Sequence, residues 1–149
     1  MATRRAIGRG TGALAIGALL WFGCAYYNTL YNAEVKYEEA EKAQARASAS
    51  QGGMDDPTAP PGPNPQAAQY EDVIAKCKKL MRQYPDSKDV DDAMLLSARS
   101  LYRLGKYDEA VSAVDSLETR YPKSKLLDDA QFVKGKSMVA AQKYELAVP

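Results

Sequence analysis

Residues 84–110 read YPDSKDVDDAMLLSARSLYRLGKYDEA, and from Tyr121 the chain returns as YPKSKLLDDAQFVKGKSMVAAQKYELA, a step of 37 residues. At that step Tyr84, Pro85, Ser87, Lys88, Asp91, Asp92, Ala93, Ser100, Tyr107 and Ala110 meet identical residues. An earlier half-copy keeps the register, since Tyr70 leads to Tyr107 and QYP at 83–85 leads to RYP at 120–122. A fixed period of this size marks a helical repeat array, whose units cannot bury their apolar faces alone and must stack. The pattern predicts an all-α fold, an antiparallel helix-pair solenoid.

Working outward, Tyr70, Val73, Cys77, Leu80 and Tyr84 form one apolar seam of a helix predicted over 67–84. Pro85 ends it, because a residue before proline is pushed out of the α region. The next helix is expected from Lys88 to Leu104, with Asp89, Asp91 and Asp92 favoured near its start by the helix dipole. Gly105 supplies the stop, Tyr107 to Arg120 follows, and Pro122 repeats the boundary. A last full helix is expected over 125–142, with Tyr144 opening another. Upstream, residues 50–66 hold three Gly and five Pro and are expected to form a disordered linker, spanning on the order of 20–25 Å as a flexible coil. Residues 24–49 are expected to be helical. Leu30, Ala33, Tyr37, Ala40 and Gln44 share one face; Glu34, Glu38 and Glu41 point outward; Glu38 and Lys42 form an i,i+4 pair. Tyr26, Tyr27 and Tyr31 suit either an aromatic belt at lipid headgroups or packing on the repeats.

The chain has 149 residues and a formal charge of +1. Residues 1–23 read as a targeting segment, with Arg4, Arg5 and Arg9 ahead of the apolar run ALAIGALLWF and Gly23 before Cys24. Its removal leaves 17 basic against 19 acidic residues and no basic stripe, which argues against nucleic acid as a partner. The absence of His removes the usual general base and the commonest transition-metal ligand. With no nucleophile motif either, the sequence points away from an enzyme, and no cofactor or small-molecule substrate is expected.

The segment ending at Cys24 resembles the lipobox of bacterial lipoproteins, with Trp21 standing where that family prefers Leu. The resemblance implies cleavage before Cys24 and lipidation of its thiol by palmitate-type chains. Ala25, rather than Asp, implies sorting to the outer membrane, periplasmic face. The alternative is an uncleaved anchor helix over 10–27. The repeats themselves resemble tetratricopeptide repeats, in particular the outer-membrane assembly lipoproteins of the BamD-like kind. The resemblance covers residues 70–148, on Ala98, Leu101, Gly105, Tyr107, Ala110, Val114, Leu117 and Pro122, then Gly135, Tyr144 and Ala147. Met94 and Gln131 depart from it where a large aromatic is usual.

These readings divide the chain into a signal peptide (1–23), an anchor-proximal helix (24–49), the linker (50–66) and the repeats (67–149, the last incomplete). The expected function is a scaffold tethered by lipid and flexible linker, holding other envelope proteins in its repeat groove, with a role in outer-membrane protein assembly implied by resemblance. A structural link to peptidoglycan or the division machinery is the alternative. Arg99, Tyr102, Arg103 and Lys106 are the candidate partner-binding residues. Cys77 is expected to be buried and inert, the pairs Asp91–Asp92 and Asp128–Asp129 to be dipole-favoured surface carboxylates rather than a metal site, and Glu38, Glu39 and Glu41 to be a solvated face. Tyr70, Tyr84, Tyr107, Tyr121 and Tyr144 recur with the repeat and are expected between helices. Phe132, Val133, Met138 and Val139 are expected to be only partly covered, implying either a longer repeat protein or association between protomers.

Overall fold

The computed structural model describes residues 12–50 and 64–147. It contains α1 (Gly12–Ser50), α2 (Ala67–Gln83), α3 (Val90–Arg103), α4 (Tyr107–Arg120) and α5 (Leu127–Ala147), and all of its regular secondary structure is helical. Each helix packs on the next, while α1, α3 and α5 also meet side by side. The result is two layers, α1, α3 and α5 in one and α2 and α4 in the other. No described helix is long and apolar enough to cross a membrane.

The repeated YPxS tetrapeptide makes the same turn twice for the same reasons. The Ser87 amide bonds the Tyr84 carbonyl at 3.1 Å, and the Ser124 amide bonds the Tyr121 carbonyl at 3.0 Å. These are β-turns with proline at the second position, where its fixed φ is already correct. The serine hydroxyls then accept the Asp89 amide at 3.4 Å and the Leu126 amide at 3.1 Å. This extra step delays α3 and α5 by two residues relative to the sequence expectation. Between α3 and α4 the chain reverses at Gly105, with φ 72°. The Lys106 amide reaches back to the Leu101 carbonyl and the Gly105 amide to the Tyr102 carbonyl, both at 3.0 Å. That pair of bonds is a Schellman motif, which needs a left-handed residue that glycine supplies without strain.

One repeat later, the position of Gly105 is Gln142. There α5 does not stop; it runs through Tyr144 to Ala147, so the expected new helix at Tyr144 is replaced by continuation of the old one. Loss of the glycine removes the stop signal.

Small residues are prominent in the interior: Ala33, Ala40, Ala93, Ala98, Ala110 and Ala130 are fully buried. Val73, Cys77, Leu80, Val90, Val114 and Leu117 fill the core between them. Ser100 and its repeat partner Ser137 are also buried, each donating its hydroxyl to the carbonyl four residues back at 2.8 Å. Among the recurring tyrosines Tyr70 is fully buried, and Tyr84, Tyr107 and Tyr121 are half-buried.

Two expectations change. The Gly/Pro stretch does not separate an anchored helix from the repeats, because α1 packs directly on α2 and touches α3. α1 is therefore the first-layer partner of α2, and the stretch is an insertion between the two helices of that unit. Residues 51–63 lie outside the described residues, as do 1–11. At the far edge of the stretch, however, Asn64 is fixed, its amide donating to the Arg103 carbonyl at 2.8 Å. The helix of α1 also begins at Gly12, upstream of the expected start near Tyr26.

Two measurements check this packing. Cys77 is 1% exposed, and burial, aided by the nearby Glu34 carboxylate, pushes its thiol up to about 12. A thiol reagent at pH 8 should label it only after denaturant is added; rapid labelling of native protein contradicts the packing of α2. Gly105→Ala should lower stability by about 1–2 kcal/mol, the cost of a left-handed alanine, read from the urea midpoint. An unchanged midpoint contradicts the turn described.

Candidate functional site

The layer formed by α1, α3 and α5 carries a shallow groove of about 150 Å³. Its walls are Tyr37 from α1, Arg99, Tyr102 and Arg103 from α3, and Asp129, Phe132, Val133 and Lys136 from α5. Three of the four residues singled out from sequence thus line one surface. Lys106 does not; it is exposed on the α3–α4 turn.

The α1 wall is held by a polar clamp. The Tyr70 hydroxyl, from α2, lies 2.7 Å from Glu41 Oε1 and 3.0 Å from Gln44 Oε1, sharing its single proton between them. The other Glu41 oxygen accepts the Arg103 guanidinium of α3. The Tyr37 ring meets the Tyr70 ring edge-on, with centroids 5.7 Å apart. One turn back, Lys36 of α1 and Lys76 of α2 both pair with Asp72. Burial and the Glu41 carboxylate push the hydroxyls of Tyr70 and Tyr37 upward, so both stay protonated. Burial works against the Arg103 charge, but the Glu41 bond and Tyr37 outweigh it and hold the guanidinium more firmly protonated. The expectation that Glu41 belongs to a solvated face is therefore corrected: it joins three helices. Glu38 does face solvent, paired with Lys42 at 3.2 Å.

On the α5 wall, Arg99 pairs with Asp129 at 2.8 Å across the groove. Lys136 Nζ stands 4.8 Å from the centre of the Tyr102 ring and 5.4 Å from that of Phe132. Tyr102 leans on Tyr107 behind it, with centroids 5.8 Å apart. Arg99 and Arg103 therefore have carboxylate partners, while Lys136 rests between two aromatic rings, a cation held by π faces. Phe132 and Val139, seven residues apart on one face of α5, are 68% and 54% exposed and continue the apolar surface outward from the groove, while Met138, 50% exposed, lies on another face. Val133 is buried, which corrects the expectation that it would be only partly covered.

Away from the groove, α2 and α4 do not pack on each other, and a cleft of about 480 Å³ separates them over a floor of Met94, Ser97 and Leu101. At the start of α3, burial and the neighbouring acids Asp91 and Asp89 raise the Asp92 carboxyl; burial, Asp92 and Asp89 raise that of Glu34. No set of three or more His, Cys, Asp or Glu among the described residues is arranged to hold a metal.

Sequence reasoning missed Glu41 and Lys136. Glu41 sits beside two other acids in a polar run, and nothing local distinguishes it from a solvated residue. Lys136 had a usable signal: one repeat earlier its position is Arg99, so a cation recurs on the first-layer face.

With the repeats and their groove described, comparison with known families decides the affiliation: the family described as YfiO, outer membrane lipoprotein, matches residues 64–148. The chain belongs to this outer membrane lipoprotein family. Membership makes it an envelope protein. No curated protein and no solved structure matches the chain. In this outer membrane lipoprotein the matched region covers α2 to α5.

Breaking the clamp should be costly, because Glu41→Ala leaves the Arg103 guanidinium without its carboxylate and the Tyr70 hydroxyl with Gln44 alone. A loss of about 2–3 kcal/mol in urea unfolding is expected, the range for hydrogen bonds to a charged group. Glu41→Ala in an Arg103→Ala background should cost clearly less, and equal losses in both backgrounds contradict the coupling.

Proposed function

We propose that the protein is a non-enzymatic, lipid-anchored scaffold on the periplasmic face of the outer membrane, and that the α1–α3–α5 groove holds a segment of another envelope protein during outer-membrane protein assembly. The observation that carries this reading is the groove wall itself. Tyr37, Tyr102 and Phe132 offer aromatic surface around Lys136, whose ammonium has no carboxylate partner among its described contacts. Such a surface suits a peptide segment with apolar side chains and a carboxylate or carbonyl oxygen. Aromatic anchors supply most of the affinity at protein interfaces, and the cation fixes register. Family membership supports the envelope setting; the fold alone is a weak guide to the role. The anchor in this reading is Cys24, on α1.

The test pairs two measurements. Mass spectrometry of membrane-extracted protein should give an acylated N-terminal peptide starting at Cys24. A photo-crosslinker at Phe132 should capture subunits of the outer-membrane assembly machinery, and capture should fall at least several-fold in Lys136→Glu. Capture of muropeptides or wall enzymes in place of assembly subunits contradicts the proposed role; residues 1–23 still attached contradict the anchor.

A further inference from the structure

We infer that the end of the solenoid formed by the turns 84–89 and 121–126 lies against an anionic bilayer surface, held there by α1 acting as a rigid strut; this rests on the reading of Cys24 as the anchor. Continuity of α1 sets the distance. Cys24 and the docked part of α1 belong to one unbroken helix, and packing on the core has begun by Leu30. Six residues of helix rise about 9 Å, so the lipid attaches close to the repeats through helix alone.

Polarity comes next. Going up α1, Lys36 pairs with Asp72 and Glu41 with Tyr70, so α2 runs antiparallel to it. Glu41 also meets Arg103 at the end of α3, so α3 runs parallel to α1. The end of α2 and the start of α3 therefore sit at the Cys24 end. The second turn is fastened to the first, for Ser124 donates to Asp91 at 2.6 Å and Arg120 reaches the Pro85 carbonyl at 3.3 Å. Both YPxS turns thus face the same way as the anchor.

Charge supplies the complement. Exposed Arg82, Lys88, Arg120, Lys123 and Lys125 stand at this end against Asp86, Asp89 and Asp128, with Lys88 3.9 Å from Asp89. Asp91 is engaged by Ser124, Asp92 is part-buried in the first turn of α3, and Glu34 stands one turn up α1 from Leu30. The opposite end is slightly acidic, where exposed Glu71, Asp108 and Glu109 face Lys106 and Arg46. Basic residues close to a bilayer are drawn to anionic headgroups, and the attraction fades within a Debye length. A strut of this length keeps the basic end inside that range.

The experiment uses the lipidated full chain in phosphatidylethanolamine vesicles with or without phosphatidylglycerol, carrying a headgroup-attached quencher. A fluorophore is placed at Lys123→Cys or at Lys106→Cys, with Cys77 silent because it is buried. Quenching at 123 should exceed that at 106 several-fold, and phosphatidylglycerol should widen the difference. Lys88→Glu combined with Lys125→Glu should remove the phosphatidylglycerol effect, and a Gly-Ser segment inserted between Ala25 and Asn28 should make the two sites equal. Equal quenching of both sites in an acylated, vesicle-bound wild-type protein overturns the orientation while leaving the anchor standing. A chain without acylation that does not float with vesicles overturns both.

Discussion

Glu41 is the residue on which the arrangement of this protein most depends. Its carboxylate lies part-buried between three helices, a costly position for a charge unless each oxygen is satisfied. One oxygen takes the Arg103 guanidinium and the other the Tyr70 hydroxyl, so α1, α2 and α3 are fixed by a single group. A hydrogen-bonded charge has direction where apolar contact does not. Leu30 and Ala33 could slide along a seam of alanines and valines; Glu41 bonded to two partners sets the register of α1 against both neighbours. That register in turn places Tyr37 at the groove and aligns α1 with α3.

From that constraint the rest follows in layers. The YPxS turns and the Gly105 stop set helix lengths, and buried alanines let the helices pack closely. The stacked first-layer helices then leave a groove whose basic side chains are mostly spoken for. Arg99 holds Asp129 and Arg103 holds Glu41, so these cations build the site more than they offer themselves to a partner. Lys136, leaning on Tyr102 and Phe132, is the exception, which makes the groove more aromatic than electrostatic in character.

Much of this was legible because turn chemistry is local. A proline after tyrosine, a serine two residues on and a glycine between helices each dictate backbone geometry wherever they occur. Helical spacing is local too, and it located the buried seam of Tyr70, Val73, Cys77 and Leu80. What the sequence hid were relations between distant segments. The insertion 51–63 breaks the period just where the first-layer helix of the opening unit would be expected, so α1 reads as a separate tethered helix. Only packing shows it to be part of the array. Likewise, at Gln142 the repeat register alone predicts a helix end, whereas the physical cause of the end, a residue free to adopt positive φ, is gone. Of the site, the α3 residues were legible from their spacing, and Phe132 and Lys136 on α5 became a wall only when the helices stacked.

In this arrangement α1 is an integral, clamped helix of the solenoid. Native-state amide hydrogen exchange of the full chain tests it most directly, because opening free energies report which segments unfold together. The account predicts that amides of residues 33–44 exchange with the same protection as those of α2 and α3, and that Glu41→Ala lowers all three together or releases α1 first. Fast exchange across 33–44 in the wild-type protein, with α2 and α3 still protected, would contradict it and return α1 to the status of a tether.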